Sequence, residues 1–160
     1  MFMPKYRNLQ MDELNALEQD FIKFLAAQGV GASDWKKWQE EDPTKRDAYV
    51  TLFSDFVFET LIAKTNFLYF KSPNHHKYIK VLETRFEMIV LSKKGSQGKD
   101  DFHSTDVRSQ DIQIQKGEKM MSTDKNQAVF SLFQQGFLPV KKEEEPSVAL
   151  LFEQISGNNN

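Results

Sequence analysis

Between residues 9 and 28 the apolar positions Leu14, Leu17, Phe21 and Leu25 recur at three- and four-residue steps. That spacing predicts one amphipathic helix. Leu9 is set to staple onto Leu14 across a cap at Gln10, and Glu13 is placed to reach back to that cap. Gly29 sits where a left-handed residue ends a helix, with Val30 positioned to meet Leu25. A short second helix follows, with Ser33 as N-cap and Trp35 and Trp38 one turn apart. Asp42 caps a third, and Pro43 takes its first position, where no N–H is needed.

The third helix contains FSDFVFETL, residues 53–61. At about 100° per residue, Tyr49, Leu52, Phe53, Phe56, Val57 and Leu61 gather into one broad arc, read as the core face. Asp55 and Glu59 fall nearly opposite, while Phe58 and Ile62 lie on the same outer side as the carboxylates. That side therefore meets a second layer of the protein or a partner. The two carboxylates, four residues apart, would rim the interface and attract a cation from elsewhere. With no turn signal between LIAKT and NFLYF, the helix is expected to continue to about Phe70, and Ser72-Pro73-Asn74 stops it.

The segment KYIKVLETRFEMIVLS predicts two strands joined by a tight turn near Glu83-Thr84. KKGSQGKDDFHST reads as a mobile loop over about 93–105, and DIQIQ (111–115) alternates as a third strand stopped by Gly117. A helix over about 124–135 ends at Gly136 with Phe137 set to meet Leu132. Ser147 opens a last helix with the stripe Val148, Leu151, Phe152 and Ile155, and 157–160 is a frayed tail. The fold class expected is α+β, a single domain over 1–156. A layer of three N-terminal helices packs on a small antiparallel, hairpin-based sheet, with two C-terminal helices.

Composition removes several chemistries. The chain has no cysteine, which rules out disulfides, thiolate metal sites and a cysteine nucleophile. Lys and Arg number 21 against 23 Asp and Glu, so net charge gives no general attraction to nucleic acid or anionic membrane. The opening MFMPKYRNLQMDEL has no apolar h-region, and no run approaches the ~18 residues of a membrane span. A soluble cytoplasmic protein with no membrane partner is expected.

The remaining candidates are few. His75 and His76 are adjacent, with His103 distant, and adjacent strand residues point to opposite faces. No H-x-x-x-H, E-x-x-H or H-E-x-x-H spacing is present, so zincin and di-iron helix chemistry lack their ligands, and no metal and no cofactor is expected. No nucleophile elbow or phosphate-binding loop is present, so no catalytic residue is assigned. Ser54, mid-helix, is expected to bond a carbonyl one turn earlier. Asp55 with Glu59 leaves one enzymatic or metal-binding alternative. Between Lys64 and Lys94 seven basic residues face two acidic ones, with Tyr69, Phe70 and Tyr78 interleaved. Lys77, Tyr78, Lys80 and Arg85 are thus candidate nucleic-acid contacts, although core aromatics on a solvated hairpin explain the pattern more simply.

Four stretches, MPKYRNLQMDELNALEQDFIKFLAAQGVGASDW, LFSDFVFETL, KSPNHHKYIKV and SLFQQGF, resemble a family of small Bacteroidetes proteins of unknown function. The resemblance covers most of the chain outside the 93–105 loop and the tail. It implies a bacterial, cytoplasmic protein and carries no activity. The sequence therefore favours a non-enzymatic interaction protein, its partner another protein or a second copy of itself. Asp55, Phe58, Glu59 and Ile62 are its candidate binding residues. An RNA- or ribosome-associated factor using 64–94 is the alternative.

Overall fold

A computed structural model describes residues 3–93 and 112–156. The expected loop lies outside these residues apart from Lys93, as do His103 and the 157–160 tail. Six helices and one five-stranded antiparallel sheet occur among the described residues, an α+β fold. The chain divides into two compact units, residues 1–63 and 64–160.

The first unit holds α1 (Met11–Ala16), α2 (Glu18–Ala27), α3 (Ala32–Glu41) and α4 (Pro43–Lys64). The single helix expected over 9–28 is two, separated at Leu17. Its N–H is shared between the carbonyls of Glu13 and Leu14, at 3.1 and 3.2 Å, which tightens the turn there. The stop after α2 is as expected: Gly29 has φ 77°, and the Val30 N–H reaches the Leu25 carbonyl at 2.9 Å. α3 begins ahead of Ser33, because the Asp34 carboxylate accepts the Gly31 N–H at 3.2 Å and makes Gly31 the cap. Asp42 caps α4 by accepting the Lys45 N–H at 3.2 Å.

A continuous chain of rings holds this unit. Tyr49 stacks on Trp38 (centroids 5.2 Å apart), Trp38 meets Trp35 (6.4 Å) and Trp35 meets Phe21 edge-on (4.9 Å). Phe21 and Phe24 both pack on Phe53, at 4.8 and 5.3 Å, and Phe24 continues to Phe56 at 5.5 Å. Pairs at such spacing each add about 0.5–1.5 kcal/mol beyond the area they bury.

The second unit holds β1 (Phe67–Lys71), β2 (His75–Val81), β3 (Arg85–Lys93), β4 (Ile112–Met120), α5 (Lys125–Gln134), β5 (Leu138–Pro139) and α6 (Glu145–Ser156), with strand order β4-β3-β2-β1-β5. The helix expected to run to Phe70 stops at Lys64, and FLYFK is a strand. β1 is covered on both faces, with Phe67 and Leu68 both buried. A strand buried on both sides reads as an unbroken apolar run and mimics a helix. β4 does not stop at Gly117. It pairs with all nine residues of β3, Gly117 lying opposite Met88. The hairpin turn between β2 and β3 falls at Leu82–Thr84, as expected.

Register assigns the faces. Phe67, Ile89 and Leu91 form a core with Val140 and with Val148 and Phe152 of α6. Leu68, Ile79 and Phe86 point the other way, towards α5 and its ending, where Phe70 meets Phe137 at 5.6 Å. α5 is capped by Asp124 and ends at Gly136 (φ 98°), with the Phe137 N–H on the Leu132 carbonyl at 3.1 Å. α6 starts two residues before Ser147. A turn in which Glu144 and Glu145 N–H groups reach the Lys141 carbonyl carries the chain into it, and Pro146 falls in the first turn.

Candidate functional site

The carboxylates of FSDFVFETL hold the chain's own N-terminal segment. Residues 5–9 lie along the side of α4 that carries Thr51, Ser54, Asp55, Phe58 and Glu59, positions spaced to share one face. The Lys5 N–H donates to Asp55 Oδ1 at 2.9 Å, and Lys5 Nζ donates to Glu59 Oε1 at 2.8 Å. Lys5 is thus the cation expected beside the two carboxylates, and Glu59 raises its pKa above the usual lysine range. Tyr6 packs on Phe58 (6.0 Å), and the Arg7 guanidinium lies 4.9 Å above the same ring. Thr51 Oγ1 donates to Asn8 Oδ1 at 2.9 Å.

Ser54 is the inner anchor. Fully buried, it accepts the Leu9 N–H at 2.9 Å and donates to the Val50 carbonyl at 2.7 Å, the back-bond expected one turn earlier. Arg7 then ties this segment to α1. Its two terminal nitrogens fork onto Glu13 at 2.8 and 2.7 Å, while Glu13 Oε2 also accepts the Gln10 N–H at 2.7 Å. The bonds from Arg7 and from the Gln10 backbone pull the Glu13 carboxyl down to about 2.

The arc expected as core is only partly so. Phe53 is wholly enclosed, but Phe56 is 52% exposed, Leu52 39% and Leu61 37%, and Val57 is half-buried. The more enclosed side runs Thr51, Ser54, Phe58, Ile62. An α-helix with apolar residues nearly all round can bury either side. The segment of residues 5–9, which no helical periodicity marks, covers Phe58. One signal was available: small polar Thr51 and Ser54 precede Phe58 and Ile62 on that face, which suits an extended backbone needing acceptors.

Of the four nucleic-acid candidates, Tyr78, Lys80 and Arg85 share one face of the sheet, and Lys77 lies on the other. Lys77 belongs to the face towards α5, with Nζ 5.9 Å from the Phe70 ring, while Tyr78 and Lys80 belong to the face towards α6. Tyr78 lies beside Tyr69 and Ile89 at the edge of the α6 core, and burial raises its phenol above the usual range. Arg85 lies within 3.8 Å of Glu87 and 4.0 Å of Glu118. His75 and His76 are neighbours on β2, opposite Ser92 and Leu91, and so face opposite ways. Among the described residues no three His, Asp or Glu side chains group as a metal site, and no helix is long and apolar enough to cross a membrane. On the α5 side lies a groove of about 290 Å³, walled by Ile79, Phe86, Met88, Leu132 and Phe137.

Fold and geometry together define an α+β protein with a helical unit, a helix-covered antiparallel sheet, and polar clusters engaged in holding its own N-terminal segment. The chain belongs to a family of unknown function (DUF6495), whose model matches residues 1–151. No curated protein and no solved structure matches it.

Proposed function

We propose that this is a non-enzymatic protein of the bacterial cytoplasm that works by binding another protein. The observation that carries the reading is the surface left open on α4. Residues 5–9 occupy the side bearing Asp55 and Glu59, and the neighbouring flank presents Leu52 and Phe56 one turn apart, with Phe24 packed on Phe56. An exposed phenylalanine supported by a ring network is a rigid anchor of the kind that dominates protein interfaces. The carboxylates Asp55 and Glu59, already bonded to Lys5, fit structural duty better than acid–base chemistry. The nucleic-acid reading draws less support, because Lys77 lies on the opposite face from the other three, Tyr78 packs against the core and Arg85 lies beside Glu87 and Glu118.

The test is capture from the native cytoplasm, with and without nuclease, using the wild-type chain and a Leu52→Ser/Phe56→Ser variant whose circular dichroism matches it. A partner retained after nuclease and lost with the variant is the expected result. Capture abolished by nuclease would put the alternative, the basic segment 64–94, in first place, and capture indifferent to both treatments would remove the α4 surface.

A further inference from the structure

Gly117 stands inside β4, a nine-residue strand, where a glycine weakens the strand and offers nothing to pack. Register puts it in one rung with Met88 and Ile79, on the sheet face towards α5. No atom lies within 4 Å of the point where a side chain at Gly117 would begin. Beside that gap Met88 is 36% exposed, although β3 is an inner strand. The space left open is the groove of about 290 Å³, with Phe86, Leu132 and Phe137 as its other apolar walls. A glycine within a strand often marks the close approach of a ligand, and this volume lies at the small end of ligand sites.

Charge decides the class of ligand. Lys77 and Lys119 line the groove on the same face, Lys77 in the rung before Ile79–Met88–Gly117 and Lys119 in the rung after it. Among the described residues neither forms an ion pair. Lys77 Nζ lies 5.9 Å from the Phe70 ring, and Lys119 is exposed. The acidic residue along the groove is Glu118, and register turns its side chain to the other face, where Arg85 lies 4.0 Å away. The α5 sequence, KNQAVFSLFQ, contains no carboxylate at all. Apolar walls under a purely positive rim match an anionic head on an alkyl chain, and they oppose a cationic one.

We propose that this groove binds an unbranched alkyl carboxylate, its chain lying over Gly117 and against Met88 and its head on Lys119. A methylene takes about the volume of a water molecule, ~30 Å³, so the groove holds a chain of roughly nine carbons. The groove belongs to the second unit and the α4 surface to the first, so the proposal stands independently of the reading above.

The test is titration calorimetry of the full chain with hexanoate, octanoate and decanoate, each below the concentration at which it forms micelles. Affinity should rise about threefold with each methylene added. Lys119→Gln should weaken octanoate about threefold and leave octan-1-ol unchanged. Gly117 has no left-handed φ and open space before it, so Gly117→Leu should fold and fill the groove. That variant should keep the wild-type melting temperature and bind decanoate at least tenfold more weakly. On the wild-type chain, octanoate should shift the methyl resonance of Met88 and leave those of Met3 and Met11 in place. The absence of saturable decanoate binding overturns the proposal, as does full binding by a folded Gly117→Leu. An unmoved Met88 methyl, or a Lys119→Gln variant that binds octanoate as the wild type does, overturns it equally.

Discussion

Phe53 and Phe56 stand three residues apart on one helix, and the structure gives them opposite fates. Phe53 has no exposed surface and packs against Phe21, Phe24 and Phe56. Its truncation to alanine removes a whole buried ring and leaves a cavity, which costs about 3–5 kcal/mol. Phe56 is 52% exposed, so only about half of a full phenylalanine burial of ~1.5–3 kcal/mol is at stake. Alanine's better helix propensity returns up to ~0.5 kcal/mol, leaving a net loss of about 1 kcal/mol. Both tryptophans, Trp35 and Trp38, belong to the helical unit, so their fluorescence in urea reports on that unit alone. With a slope of about 2 kcal/mol per molar urea, Phe56→Ala should lower the midpoint by ~0.5 M and Phe53→Ala by ~2 M. If Phe53→Ala is unfolded before urea is added, Phe53→Leu against Phe56→Leu makes the same comparison with a loss below about 1.5 kcal/mol at position 53. Equal losses at the two positions would mean that α4 is rotated from the orientation described, and the reasoning about its open side would fall with it.

Two further outcomes bear on the N-terminal segment. Ser54→Ala leaves the buried Leu9 N–H without its acceptor, so it should cost about 1–3 kcal/mol in urea melts and speed exchange of the Leu9 amide; unchanged exchange there would refute the anchor. Glu13 is held at about 2, below the ordinary 4.5. A depressed carboxyl stabilises the fold above its unfolded-state pKa and loses that contribution as pH falls through the folded value. The stability gap between wild type and Glu13→Gln should therefore be full at neutral pH and close between about 4.5 and about 2; a gap that persists below that window would refute the assignment.

Much of the secondary structure was legible because it rests on local chemistry. The left-handed glycines after α2 and α5, the Asp42–Pro43 start of α4 and the β2–β3 hairpin are each set by a few neighbouring residues. The two endings even share one form, with Val30 and Phe137 each donating to a leucine carbonyl five residues back. Local chemistry is short-ranged, and a sequence carries it whole.

What required the tertiary structure is of another kind. FLYFK is a strand because β2 and β5 pair with it from positions 76–80 and 138–139, partners that its own residues do not announce. β4 outlasts Gly117 because β3 offers nine residues to pair with. Above all, α4 is apolar nearly all round, so its own periodicity leaves open which side is enclosed. The segment from Lys5 to Leu9 encloses one side by matching backbone N–H groups to Asp55 and Ser54 across about fifty residues of chain. Asp55 and Glu59 were thus recognisable from sequence as a paired feature in want of a cation. That the cation is the chain's own Lys5 follows only from folding, since a long-range contact is fixed by the shape of the whole unit and by no spacing within either segment.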